Sequence, residues 1–211
     1  MSREHILEEI DSLDAKLTDL ILEYWKQFAH FGTWQFWFNV VFFFVPLIFT
    51  LFFIDRKNIF QICFYGYSFH VMFVYLDVFL TRFNYWDHPY FMVPFIPVSI
   101  PVDGSFVPVA FMFAYQISTN RNRNFYILTF ITSVLITTIA FVWHKLGLLL
   151  FYKGMNIFHV FLLDVGISIL AYWFTNLFVK LNQSVNTFYS ISSVKRTISL
   201  HWIPFSYIGS S

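Results

Sequence analysis

The chain has 211 residues, of which 58% are hydrophobic, 24% aromatic and only 12% charged, with a formal net charge of +1. This composition supplies too few charges to cover a soluble domain, and it lacks the basic excess that nucleic-acid binding requires. The single cysteine, Cys63, excludes a disulfide within the chain.

Residues 2–30 are predicted to form an amphipathic helix with Ser2 as its N-cap. Apolar residues recur along it at spacings of three and four, close to the seam of a coiled coil. They are Ile6, Ile10, Leu13, Leu17, Leu20, Tyr24 and Phe28. The other face carries six carboxylates, from Glu4 to Asp19, against only Arg3 and Lys16.

An acidic face is repelled by anionic lipid, so this helix is not expected to lie on a membrane surface. We expect it instead to dock a partner protein or another copy of the chain. The residues expected to make that contact are Ile6, Ile10, Leu13, Leu17, Leu20 and Tyr24. The alternative is that the same residues pack on loops of their own chain.

Five hydrophobic blocks follow, at residues 33–53, 58–80, 90–116, 125–144 and 156–180. Each is about long enough to cross a hydrocarbon layer of roughly 30 Å as a helix. We therefore predict an all-α, polytopic helical protein of the cell membrane with four or five transmembrane helices and the lipid bilayer as its environment. Its predicted parts are the amino-terminal helix (1–32), a transmembrane domain (33–180) and a polar tail (181–211).

The third block differs from the others because it contains Pro94, Pro97, Pro101 and Pro108 around Asp103-Gly104. Proline removes a backbone donor and clashes with the preceding turn, so a continuous helix is not expected here. Backbone groups freed at membrane depth must be buried in protein or line a wet cavity. The block is predicted to be either a broken span or a re-entrant pair of short helices meeting at residues 102–105.

The distribution of Lys and Arg does not decide between these two topologies. Five crossings divide these residues six against seven, which is no bias. Four crossings divide them nine against four and satisfy the positive-inside rule, but the length of the third block favours a full crossing.

Ionisable residues inside the predicted spans are the candidates for function, because burying them in a bilayer is costly. His70 and Asp77 share one face of the second block, Asp103 lies at the break in the third, and Asp164 lies in the fifth. In a transport interpretation, these four residues form a polar track that holds or relays a cation or proton.

Two other interpretations remain open for the ionisable residues. In a structural one, Asp77 and Asp164 accept hydrogen bonds from neighbouring helices and Asp103 caps a half-helix beginning at Ser105. In a catalytic one, His70, His144 and His159 join an aspartate to bind a metal, although no pair of histidines has the usual helical spacing. No sequence motif of a hydrolase, a phosphate-binding loop or a redox pair is present, so we predict no catalytic residue, resident metal or cofactor.

In the fourth block, Thr129, Ser133 and Thr137 recur every four residues. Small residues at this spacing let two helices approach closely, so packing is the predicted role of this face and a polar pathway is the alternative.

From residue 58 to residue 173 the chain resembles a family of small multipass membrane proteins of endospore-forming bacteria. The resemblance rests on the Tyr-rich second block ending at Asp77, on Tyr85-Trp86, on residues 103–108 leading to Tyr115-Gln116, and on Leu146-Gly147 through Tyr152-Lys153-Gly154-Met155-Asn156. Members often have Trp where this chain has Met155, and an acidic residue near the position of His144. The family has no established activity, so the resemblance implies the architecture and a membrane location alone.

Taken together, the sequence favours a non-enzymatic membrane component that docks a partner, or another copy, through residues 2–30. The alternative is a small ion, proton or solute transporter that uses the intramembrane Asp and His residues.

Overall fold

The computed structural model describes residues 2–96 and 98–200, and the side chains as far as residue 184. Six α-helices dominate it, together with two π-helical turns and a pair of two-residue strands. In chain order these are α1 (Arg3–Tyr24), π1 (Trp25–Ala29), α2 (Trp34–Phe53), α3 (Ile59–Arg82), β1 (Trp86–Asp87), π2 (Val102–Phe106), α4 (Val107–Arg121), α5 (Phe125–Lys145), β2 (Leu150–Phe151) and α6 (Ile157–Leu200). The predicted all-α fold is confirmed.

Four helices in the described part of the chain are long and apolar enough to cross a membrane. They are Trp34–Phe53, Ile59–Arg82, Phe125–Lys145 and Ile157–Ser184. Most of their large apolar side chains face outward, as lipid-facing residues do. The backbone of α6 continues to Leu200, so the first part of the predicted polar tail is helical, whereas residues 201–211 lie outside the described residues.

The centre of the bundle is formed by α3, α4, α5 and α6, and its core is largely aromatic. Tyr65 stacks on Tyr115 with ring centroids 4.4 Å apart, and Phe69 stacks on Phe111 at 4.6 Å. These two pairs run in opposite directions along the chain, so α3 and α4 are antiparallel. Gly66 lies at their closest approach, because a Cβ atom there would be 3.0 Å from the sulfur of Met112.

The proline-rich third block passes through the bundle from one end to the other. At one end of this segment, His70 of α3 contacts the backbone of Asp103. At the other end, Asn58 bonds Asn120 at 3.3 Å. Residues 103–120 therefore lie beside residues 58–70, about half of α3. In the described part of the third block no half-helix precedes residue 100, so the prediction of a re-entrant pair of short helices meeting at residues 102–105 is wrong.

The segment is proline-broken as predicted, but its irregular stretch lies before residue 100, and at residues 102–105 the helical backbone continues as π2. The turn π2 explains how the helix tolerates its prolines. The N–H of Val107 bonds the carbonyl of Val102, five residues back. In the same register Pro108, which has no N–H, leaves the carbonyl of Asp103 free, and Nδ1 of His70 donates to it at 2.6 Å. Pro97 lies outside the described residues.

The helix α1 projects from one end of the bundle, which we call the α1 end; we call the opposite end the Arg121 end. Ser2 caps α1 as predicted, its hydroxyl accepting from the N–H of His5. No residue of α1 is buried, so the prediction that its apolar stripe packs on loops of the same chain is wrong. The helix meets the rest of the molecule only near its last turns, where Tyr24 contacts Phe91.

Candidate functional site

Three carboxyl groups are buried inside the bundle. Asp77, Asp103 and Asp164 are each no more than 1% exposed, and none of their oxygens receives a hydrogen bond of good geometry from a described residue. Buried polar groups in proteins are normally paired, because an unpaired one costs about 1–3 kcal/mol. The prediction that Asp77 and Asp164 accept hydrogen bonds from neighbouring helices is therefore wrong.

Asp77 and Asp103 lie beside one another, together with His88 and Trp86. Nε2 of His88 is 3.5 Å from Oδ1 of Asp77, which is the distance of an ion pair when the imidazole is protonated. Two carboxylates that are close together and out of water repel each other strongly. The arrangement therefore places an imidazole and two carboxyls close enough to share a proton.

The turn π2 places Asp103 toward α3. Its wider register lets Asp103 face Asp77, while the hydroxyl of Ser105 donates to the carbonyl of Phe43 in α2 at 2.6 Å. Asp103 lies within the helical run, and its own N–H bonds the carbonyl of Ser99. The prediction that Asp103 caps a half-helix beginning at Ser105 is therefore wrong.

His88 was not singled out from the sequence, and a short strand pair positions it. Trp86 pairs with Phe151 and Asp87 with Leu150 in the antiparallel strands β1 and β2. The carboxylate of Asp87 then accepts the backbone N–H of His88 at 2.8 Å. Helical periodicity cannot reveal this residue, because it lies in the loop after α3. Its only signal is an ionisable side chain within an aromatic loop that follows Asp77.

A cavity of about 40 Å³ lies against this group. Asp103, His88 and Asp164 line it, and the other lining residues are aromatic and aliphatic, among them Trp86 and Trp143. One water molecule needs at least roughly 10–15 Å³ of such volume, so the cavity is large enough for water, although its accessible surface is apolar. Asp103, His88 and Asp164 therefore share one cavity.

His88 also lines a second pocket, of about 220 Å³, at the α1 end of the bundle. The side chains of Ile21, Thr81, Asp87 and Phe91 contribute to this outer pocket. The imidazole of His88, whose side chain is 13% exposed, therefore stands between the outer pocket and the inner cavity.

The small residues predicted to pack α5 are positioned below the cavity. Oγ1 of Thr129 lies 3.1 Å from Oγ of Ser168 in α6, and that oxygen is 2.7 Å from the hydroxyl of Tyr65. Because α5 and α6 are antiparallel, the same register places Ser133 at the level of Asp164. The hydroxyls of Ser133 and Thr137 have no partner of good geometry among the described residues.

The remaining predicted histidines do not meet at this site. Nδ1 of His144 pairs with the carbonyl of Leu149 at 2.9 Å, and His159 bonds Asn156 next to the start of α6. Nδ1 of His70 is occupied by the carbonyl of Asp103. Among residues 2–96 and 98–200 there is no group of three or more His, Cys, Asp or Glu side chains able to hold a metal ion, so the predicted histidine metal site is wrong.

The predicted docking residues form a separate, exposed feature on α1. Their exposed fractions run from 37% to 60%, at Ile6, Ile10, Leu13, Leu17, Leu20 and Tyr24. The residues predicted from the sequence therefore fall into two separate features. One is the buried carboxyl site, formed by Asp77, Asp103 and Asp164, and the other is the exposed apolar stripe of α1.

Comparisons of the chain with models of known protein families, with curated proteins and with solved structures found no match.

Proposed function

We propose that this membrane protein transfers protons from the α1 end of the bundle to Asp164 through the buried carboxyl site. One observation carries the proposal: Asp103 and Asp164, both buried and without a hydrogen-bond partner of good geometry among the described residues, line the same small cavity. Side chains of this kind are costly in a membrane, and they commonly mark ion or proton pathways.

The size and charge of the site favour a proton over other cargo. A cavity of about 40 Å³ has the volume for water but not for an organic solute. The described residues offer no set of ligands for a metal ion. A proton requires only groups that can accept and release it, and an imidazole beside two carboxyls is such a set.

The transfer can be written as successive movements of one proton. Water in the outer pocket gives a proton to Nε2 of His88. The imidazolium passes it to Oδ1 of Asp77, 3.5 Å away, once the two atoms close to hydrogen-bonding distance. The carboxyls of Asp77 and Asp103 share that proton, and water in the cavity carries it to Asp164. Asp164 then releases the proton toward the Arg121 end, where the hydroxyls of Ser168 and Thr129 continue the path. Each step moves one positive charge inward and returns the donor to its starting state.

The same proposal includes a location and an orientation. We assign the protein to the cell membrane with five crossings, since the segment 100–121 traverses the bundle. Counted over the whole chain, Lys and Arg show no bias, but the positive-inside rule counts only residues close to a span. Leaving out Arg3 and Lys16, which lie more than about 15 residues before α2, gives seven Lys and Arg residues at the Arg121 end against four at the α1 end. The positive-inside rule then places the Arg121 end in the cytoplasm and the α1 end outside.

Cysteine labelling tests this orientation. In a Cys63→Ser background, an impermeant maleimide added to intact cells should label Ser12→Cys but not Thr119→Cys. The reverse result would contradict this orientation.

Proton flux in liposomes tests the function. The purified chain is reconstituted with a trapped pH-sensitive dye, and a potassium diffusion potential set with valinomycin drives protons inward. Acidification should exceed that of empty liposomes and fall at least tenfold in Asp103→Asn and Asp164→Asn. The matched control is Asp55→Asn, which removes a carboxylate in the exposed loop between α2 and α3 and should leave the flux unchanged.

Two results would overturn the proposal. The first is wild-type flux no greater than that of empty liposomes. The second is flux in both intramembrane variants equal to wild type, provided that the variants elute as monodisperse particles.

A further inference from the structure

A second site lies on α1, away from the carboxyl site. The helix is 22 residues long, or about 33 Å at 1.5 Å per residue. Leu13 and Leu20 are 60% and 54% exposed, although they belong to a regular seam that contains an apolar residue at every turn. Contacts to the bundle are confined to its last turns, at Ile21 and Tyr24. A continuous apolar seam of this length is the kind of surface that a second helix covers.

The charges beside the seam argue against a second copy of α1. If Ile10 and Leu17 occupy the a positions, Glu9 falls at g and Asp14 at e. In a parallel pair the Glu9 of one copy faces the Asp14 of the other, because g contacts the e position five residues later. In an antiparallel pair, Asp14 faces Asp14. Both arrangements bring carboxylates together, and like charges at these positions oppose pairing.

The same charges specify the chemistry of a suitable occupant. Between Arg3 and Tyr24, α1 carries seven carboxylates against two basic side chains, Arg3 and Lys16. We propose that α1 docks a basic amphipathic helix of a partner protein, whose apolar stripe covers the seam and whose Lys and Arg residues pair with the flanking carboxylates. Such pairing gives register and a fast, salt-dependent association in addition to the apolar contact.

A peptide-binding experiment on the full-length chain in zwitterionic nanodiscs tests this proposal. The probe is a fluorescein-labelled helix with Leu at every a and d position and Lys at every e and g position. A second peptide keeps the Leu seam but carries Glu at e and g. Fluorescence anisotropy should show saturable binding of the Lys peptide, weakened by added salt, and at least tenfold weaker binding of the Glu peptide. Empty nanodiscs provide the blank.

Two variants locate the binding surface. Leu13→Ser interrupts the seam and should weaken binding of the Lys peptide at least tenfold. Ala15→Ser introduces the same side chain outside the seam and should leave binding unchanged. Neither residue is buried, so both variants should unfold at the same temperature as wild type.

Three results would overturn the proposal. These are no binding of the Lys peptide above the blank, equal binding of the two peptides, and equal binding to wild type and Leu13→Ser. A particle mass that halves in Leu13→Ser would show instead that α1 pairs with a second copy.

Discussion

Replacing Asp164 by leucine should make the protein more stable while stopping proton transfer. Leucine has the same number of side-chain heavy atoms and the same branching as aspartate, and the cavity of about 40 Å³ beside Asp164 can take part of its larger methyl groups. Asp164 is 1% exposed and has no hydrogen-bond partner of good geometry. Removing an unsatisfied buried polar group of this kind gains about 1–3 kcal/mol. For a chain of this length, 1 kcal/mol corresponds to about 2–4 °C in Tm, so the expected rise is roughly 2–12 °C.

The gain should fall toward the lower part of that range, because polar groups of membrane proteins also find partners in the unfolded state within the bilayer. The measurement is the loss of helical circular dichroism on heating in a mild detergent, at one fixed scan rate for wild type and variant. Asp164→Asn serves as the control. It keeps a polar group in the same surroundings, so its Tm should lie within about 2 °C of wild type.

A lower Tm for Asp164→Leu than for wild type would refute the reasoning. It would mean that the carboxyl is stabilised by a partner and that Asp164 is a structural residue. If Asp164 serves proton transfer and not stability, Asp164→Leu should both raise Tm and abolish the proton flux. Neither measurement alone distinguishes a proton-transfer role from a structural one.

Two further predictions concern other parts of the bundle. Gly66→Ala should lower Tm, because the new methyl group would lie 3.0–3.3 Å from three atoms of Met112. Overpacking of this kind typically costs about 1–3 kcal/mol of unfolding free energy. A Tm equal to that of wild type would show that Met112 moves aside freely. At the Arg121 end, the backbone N–H of Lys57 and then the side chain of Asn58 hold the pKa of Asp55 below its ordinary value. The stabilisation from these bonds is present above the unfolded pKa and is lost as the pH falls through the folded one. Asn58→Ala should move the pKa of Asp55 back up, toward 3.8, in a carboxyl NMR titration, and an unchanged pKa would count against the bond.

The sequence was sufficient to predict the spans and their class. Hydrophobic length alone located the four candidate spanning helices, because a bilayer demands about 20 apolar residues from any helix that crosses it. The cap at Ser2 was also predictable, since capping depends only on residues close along the chain. These features are local, so a single sequence contains them.

The course of the third block could not be predicted from local rules. Proline spacing around Asp103 indicated a break, but π2 shifts the backbone register so that one orphaned carbonyl meets His70. That partner lies 33 residues earlier in the chain. Counting the backbone N–H donors lost at the prolines therefore overestimates how far the helix is disrupted, because a tertiary contact from His70 supplies a replacement donor.

The sequence predicted which carboxyl residues belong to the site, but it did not predict how they are arranged. Asp77, Asp103 and Asp164 were identified because ionisable residues are costly in a span. His70 was expected to relay charge, but it holds a backbone carbonyl and His88 takes the place beside Asp77. Nothing periodic connects a loop histidine to a helical aspartate, so only the folded chain reveals this pair.

The two proposed sites make separable demands on the chain. The stripe on α1 has no buried residue, so its apolar side chains contribute little to the bundle and can change without disturbing the cavity. Of the cavity residues, Asp103 lies on π2 and Asp164 on α6. Leu13 lies about two turns before Ile21, the α1 residue that lines the outer pocket. We therefore expect Leu13→Ser to lose peptide binding with unchanged proton flux, and Asp103→Asn to lose flux with unchanged peptide binding. If either variant lost both activities, the stripe and the carboxyl site would have to be parts of one coupled device, and the independence argued from burial would be wrong.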